Sequence, residues 1–131
     1  MPRSHGRTKR FSELSNQVIG AAIDVHRELG PGLLESAYSS CLAFELQLRA
    51  IPVRRECPQP VSYKGFEVEI GYRLDIVIAD QILVEVKSVS RLQPVHEAQV
   101  LTYLRLSGLQ QALLLNFNVL RLKDGLRSYT V

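Results

Sequence analysis

Asp75, Glu85 and Lys87 fall inside the stretch LDIVIADQILVEVK, residues 74–87, where two apolar runs flank a turn. Two carboxylates and an ammonium among aliphatic side chains can bind a hard divalent cation and stabilise charge on a phosphate. A turn centred on Asp80 sets Leu74 opposite Val86, Ile76 opposite Val84 and Ile78 opposite Ile82, so one face of the hairpin is wholly aliphatic. Asp75 then stands opposite Glu85 on the other face, with Cβ atoms roughly 4.5 to 5.5 Å apart, and Lys87 follows on the same face. Like charges so placed destabilise a sheet, and a Mg²⁺ shared at about 2.0 to 2.1 Å from each acid would offset them. A solvated hairpin face on which Lys87 alone balances the acids fits the same spacing.

The elements that must hold these residues can be read from periodicity. Leu14, Val18, Ala22, Val25 and Leu29 recur at helical spacing and Gly30-Pro31-Gly32 breaks the pattern, which predicts a helix over 12–29. Leu34, Tyr38, Cys41, Leu42 and Leu48 predict a second over 33–49, closed by Pro52. The period then changes to two, predicting an antiparallel meander with strands at 53–56, 60–63, 66–78 and 82–89 and a tight turn at Lys64-Gly65. Pro94 and Gly108 bracket a third helix over 94–107, and strands at 112–115, 119–122 and 126–130 follow. The order ααββββαβββ describes an α/β fold on the border of α+β.

Two of the helices carry further candidates. Glu35 lies in the first turn of the second helix and shares a face with Tyr38. An acid at that place also complements the helix macrodipole, and a tyrosine on an apolar stripe also suits a core. His96, Gln99 and Tyr103 share one face of the third helix, beside Ala98, Leu101 and Leu104. Gln99 fits either a site group or an exposed amide flanking the core. Neither His26 nor His96 has zinc-like partner spacing.

With 131 residues, 46% of them hydrophobic, the chain suits one globular domain over 12–131 that buries a core without staples. Cys41 and Cys57 make neither a disulfide framework nor a zinc cluster, so a reducing cytoplasm is the expected setting. The start MPRSHGRTKR has no apolar h-region, and no stretch approaches the roughly 18 apolar residues of a membrane span. Of the 16 cations, Arg3, Arg7, Lys9 and Arg10 are four; the remaining 12 stand against 13 acids, a balance of −1. The basicity is thus a flexible tail over 1–11, which either attracts nucleic acid phosphates or is merely solvated.

Asp75 followed by Glu85-Val86-Lys87 resembles the core signature of the PD-(D/E)XK nuclease superfamily, with Leu74 in place of its proline. Gly32-Leu33-Leu34-Glu35-Ser36-Ala37-Tyr38 is similar to the naming motif of the GxxExxY family, a bacterial and archaeal branch of that superfamily. His26, Gly30-Pro31-Gly32, Tyr63-Lys64-Gly65, His96, Gln99, Tyr103 and Asn116-Phe117 also fall where that family has similar residues, so the likeness spans roughly residues 12–130.

The resemblance implies a restriction-endonuclease-like core, with a central mixed β-sheet flanked by helices, and a nuclease that hydrolyses phosphodiester bonds of nucleic acid, DNA being the expected substrate. It implies that Asp75, Glu85 and the Val86 carbonyl hold Mg²⁺ or Mn²⁺, which polarises the phosphodiester and acidifies a water. Lys87 would neutralise the developing charge, Glu35 would supply an extra acid, and the Gln99 amide would reach the water or a phosphate. Tyr38, His26, His96 and Tyr103 are supporting candidates. Some superfamily members have lost catalysis, so the alternative is a silent nucleic-acid-binding or regulatory partner with the same fold. The chain has no second DNA-reading module, and a homodimer or a partner protein is the expected complement. A hydrolase of small phosphorylated substrates would favour a Gly-rich phosphate loop, which the sequence lacks.

Overall fold

Ser12 starts the first helix by accepting the Ser15 N–H on its Oγ at 3.0 Å. The structure, a computed structural model, describes residues 12–131, so the basic tail expected over 1–11 lies outside the described residues. Helix α1 spans Glu13–Leu29 and buries Val18, Ala21, Ala22 and Val25, one stripe at helical spacing. Gly30 and Gly32 take φ of +70° and +104°, which lets the chain reverse within three residues before α2, Glu35–Leu48, begins.

Five strands form the main sheet: β1 (Val53–Gln59), β4 (Tyr72–Ile78), β5 (Ile82–Lys87), β6 (Gln111–Asn116) and β7 (Leu126–Thr130), in the order β1-β4-β5-β6-β7. A separate hairpin, β2 (Ser62–Tyr63) and β3 (Phe66–Glu67), is inserted between β1 and β4. Helix α3, Pro94–Ser107, carries the chain from β5 to β6, the parallel pair that makes the sheet mixed. This is the helix-flanked mixed sheet that a restriction-endonuclease-like core requires.

Both faces of the sheet are covered. On one, α1 and α2 pack against Ile76, Ile78, Ile82, Val84, Val86, Leu113 and Leu115; on the other, Val100, Tyr103 and Leu104 of α3 pack against Val77, Leu83, Ala112 and Leu114. This explains why β6 is buried at every position and its apolar run does not alternate. Among the described residues no helix is long and apolar enough to cross a membrane.

The three helices fall where the periodicity places them, but the strand order differs from expectation. The run 66–78 divides at Gly71 into β3 and β4, and the first strand extends through Pro58, which an edge strand such as β1 tolerates. Residues 119–122 form no strand. Leu120 is 88% exposed while Leu122 joins the core, and the chain tightens into a 3₁₀ turn at Leu122–Gly125. The observed order is two helices, five strands, one helix, then two strands.

Gly125 lies so close to Asn116 that an added Cβ would overlap the Asn116 carbonyl oxygen. Because both partners are backbone, Gly125→Ala should cost roughly 1–3 kcal/mol. Urea denaturation measures this, and a midpoint equal to wild type would show that the turn relaxes freely.

Candidate active site

The β4–β5 turn has its two central residues, Ala79 and Asp80, at φ of +52° and +54°, the hand that suits a hairpin. It produces the pairs Ile78–Ile82, Val77–Leu83 and Ile76–Val84, the register expected from the sequence. There the ladder stops, and Leu74 joins the cluster on the α3 face instead of lying opposite Val86. On the other side of β4, the β1–β4 ladder skips one step between Arg55–Ile76 and Cys57–Leu74. Glu56, the residue at that step, takes φ of +52°, and its carbonyl accepts Arg73 Nη1 at 3.3 Å.

The acids occupy the place where both ladders fail. Glu85 Oε2 accepts the Asp75 N–H at 3.1 Å, and Asp75 Oδ2 accepts the Val86 N–H at 2.9 Å. Each carboxylate therefore satisfies a backbone donor of the opposite strand, which fixes both side chains in the gap. A strand residue directs its N–H and C=O to the same side, so the Val86 carbonyl faces this gap as well. One oxygen of each carboxylate and this carbonyl are then free for a ligand.

Burial dominates the electrostatics. Glu85 is 4% exposed, and desolvation with the added charge of Asp75 pushes its carboxyl from an ordinary 4.5 up to about 8. Asp75 is also raised, first by burial, while its bond from Val86 and the Lys87 charge oppose the shift. A carboxyl whose pKa is raised by folding holds its proton more tightly in the native state, so stability falls as pH rises from the unfolded to the folded value. The cation-free protein should therefore lose on the order of 3 kcal/mol between about pH 4.5 and pH 8, and Glu85→Gln should remove most of that loss. Thermal melts across this range decide it; an identical decline in wild type and Glu85→Gln would place the titration elsewhere.

The surrounding candidates divide into those near the acids and those that build the scaffold. Lys87 is half-buried at the end of β5, and its Nζ donates to Gln99 Oε1 at 3.2 Å, so α3 brings Gln99 to the lysine, a partner the sequence did not point to. Tyr103 is close enough for Glu85 to push its hydroxyl up, after burial as the larger cause. Glu35 Oε2 accepts the Ser88 N–H at 3.2 Å, just past β5, and its charge is felt at Asp75. Tyr38 is fully buried and stacks on Phe117 with centroids 4.5 Å apart. Its hydroxyl donates to the Gly30 carbonyl and accepts the Leu33 N–H, so Tyr38 ties down the turn that launches Glu35.

The histidines make scaffold bonds. His26 Nε2 meets the Val119 carbonyl at 2.8 Å, and His96 Nδ1 accepts the Gln93 N–H at 2.8 Å at the start of α3. One neighbour, Glu56, escaped sequence reasoning, and a second, Asn116, entered only through the family likeness. Glu56 adds negative charge at both acids, and only its position one step from the Asp75 pair could have pointed to it. Asn116 clamps the chain leaving β5, with Oδ1 accepting the Val89 N–H and Nδ2 donating to the Val89 carbonyl.

Among the described residues no three His, Cys, Asp or Glu side chains are gathered as a metal cage. Two carboxylates and a carbonyl are hard oxygen donors, and two acids held in a largely buried gap lack a full countercharge, so the residues fit a hard divalent cation that keeps several waters. No curated protein and no solved structure matches the chain significantly. A family model described as PD-(D/E)XK nuclease superfamily matches residues 12–129. With the acids, the lysine and the helix-flanked mixed sheet in place, the chain belongs to the PD-(D/E)XK nuclease superfamily.

Proposed function

We propose that the protein is a divalent-metal-dependent nuclease of the GxxExxY branch, hydrolysing phosphodiester bonds of nucleic acid, with DNA as substrate, in the cytoplasm. The observation that carries this is the reciprocal bonding of Asp75 and Glu85 to opposite strands with Lys87 on the same strand as Glu85. That bonding keeps two acids together where an unfilled sheet would separate them.

Asp75, Glu85 and the Val86 carbonyl would hold Mg²⁺ or Mn²⁺. Bound there, the cation supplies Lewis acidity toward a phosphodiester oxygen and lowers the pKa of water. Lys87 offsets the charge that builds on the phosphate, and Gln99 orients its ammonium. Glu35 acts by ordering Ser88 at the exit of β5 and by adding negative charge near Asp75. Tyr38 holds the turn that positions Glu35. A homodimer or a partner protein would extend the substrate contact beyond one domain.

The test is incubation with Mg²⁺ or Mn²⁺ and single-stranded, duplex, flapped and four-way-junction DNA, with RNA counterparts. Cleavage that requires the cation and disappears in chelator is expected. Tight binding to one of these substrates without cleavage under any cation would overturn the nuclease and assign the chain to the silent binding proteins of its superfamily.

A further inference from the structure

Tyr63 and Phe66 stand directly opposite each other in the β2–β3 hairpin, 64% and 66% exposed. Between them Lys64 and Gly65 have φ of +50° and +83°, a two-residue turn whose twist matches its strands and fixes the two rings side by side. Lys64 Nζ lies 5.3 Å from the Tyr63 ring centroid. The neighbouring pair, Ser62 and Glu67, points to the opposite face. One face of the hairpin thus presents two rings and a cation, and the acid is turned away.

Two-stranded hairpins are marginally stable by themselves, a cross-strand aromatic pair adds only a little to that, and rings this exposed leave apolar area for something to cover. Position narrows what that could be. The β1–β4 ladder ends at Gln59–Tyr72, three residues along β4 from Asp75, and the hairpin is inserted between these two strands beyond that end. Tyr72 is itself exposed, and its ring lies 6.3 Å from that of Tyr103 on α3. Along the chain Tyr72 stands between the hairpin and Asp75, and Lys64 supplies a cation at the hairpin turn.

We infer that the β2–β3 hairpin is a stacking platform for an unpaired nucleic-acid strand, with bases on Tyr63 and Phe66 and a phosphate at Lys64. Bases in a duplex already cover one another, whereas an unpaired base offers an open face to a ring, whatever its identity. The inference rests on the nuclease reading and narrows its substrate to strands with unpaired bases, such as single strands, flaps or junction arms.

Binding of a fluorescent oligothymidylate, followed by anisotropy in chelator so that no cleavage occurs, tests the platform apart from the activity. Tyr63→Ala with Phe66→Ala should weaken binding about 10- to 100-fold, while Tyr63→Phe with Phe66→Tyr should stay near wild type. Lys64→Ala should flatten the salt dependence of log Kd by about 0.7. Circular dichroism and Mn²⁺ affinity should match wild type in all three proteins. Unchanged oligothymidylate affinity in the double alanine protein would overturn the platform even in an active nuclease. So would loss of self-association in that protein with oligonucleotide binding intact, which would assign the rings to a second copy of the chain. A protein that cleaves nothing yet loses oligothymidylate with its rings would keep the platform and sink only the nuclease reading.

Discussion

Lys87→Ala should cleave nucleic acid roughly 10²- to 10³-fold more slowly than the wild-type protein while binding Mn²⁺ at least as tightly. The two halves of this result have opposite signs for a physical reason. Lys87 favours the ionised forms of both Asp75 and Glu85, so its charge helps an empty site. A divalent cation entering the same site meets that ammonium as a like charge, and removing it lowers the repulsion. Charge growing on a phosphate in the transition state has the reverse need and loses its stabiliser. If the lysine served only to balance the acids, the substitution would destabilise the fold and leave turnover per folded molecule unchanged. Single-turnover cleavage beside calorimetry separates the cases. Lys87→Arg should recover only part of the rate, because a planar guanidinium does not occupy the place of a compact ammonium held by Gln99.

Helices and the hairpin register were legible because each rests on local chemistry. Ser12, the Gly30 break, Pro94 and Gly108 mark helix ends by capping and by backbone freedom. The β4–β5 register follows from a turn whose position the apolar pattern leaves little room to shift. What local chemistry does not carry is which faces other elements cover. Val77 and Leu83 lie on the face of the acids, which looks half-polar in sequence, yet α3 covers it and the site sits at the margin of a second core. The strand expected at 119–122 failed for a related reason: the short apolar run is held by a long-range contact of His26 with the Val119 carbonyl, and the chain then turns at Leu122–Gly125.

The site itself was legible in its members and not in its geometry. Asp75 and Glu85 were expected to be apposed as cross-strand neighbours of an intact ladder. In fact the ladder ends one pair earlier and the carboxylates replace it by taking the missing backbone donors. The interruption opposite Asp75 depends on Glu56 at positive φ, a conformation that no glycine or asparagine signals in the sequence. Glu35 was expected near the acids and its charge is felt at Asp75, but its side-chain hydrogen bond is to the Ser88 backbone. That bond cannot be deduced from helical spacing, since it depends on where the chain leaves β5.

Asp75→Ala combined with Glu85→Ala should weaken Mn²⁺ binding by more than about 100-fold, beyond the 10- to 100-fold that outer groups around a metal typically contribute. Alanine at both places also frees the Asp75 and Val86 N–H groups that the carboxylates satisfy, so the double variant changes structure and charge together. Glu85→Gln separates them. Its amide oxygen can still accept the Asp75 N–H, but it cannot carry the negative charge that attracts a hard cation. Burial already disfavours ionised Glu85, whose carboxyl stands at about 8, so near pH 8 the glutamine protein should be more stable than wild type without cation. In saturating Mn²⁺ the order should reverse, because a ligand that binds only the native state adds stability in proportion to its affinity. A purely structural Glu85 gives one order at all cation concentrations. Melting temperatures of the two proteins, with chelator and with Mn²⁺, distinguish these outcomes, and a ranking that does not change would remove the cation from this site.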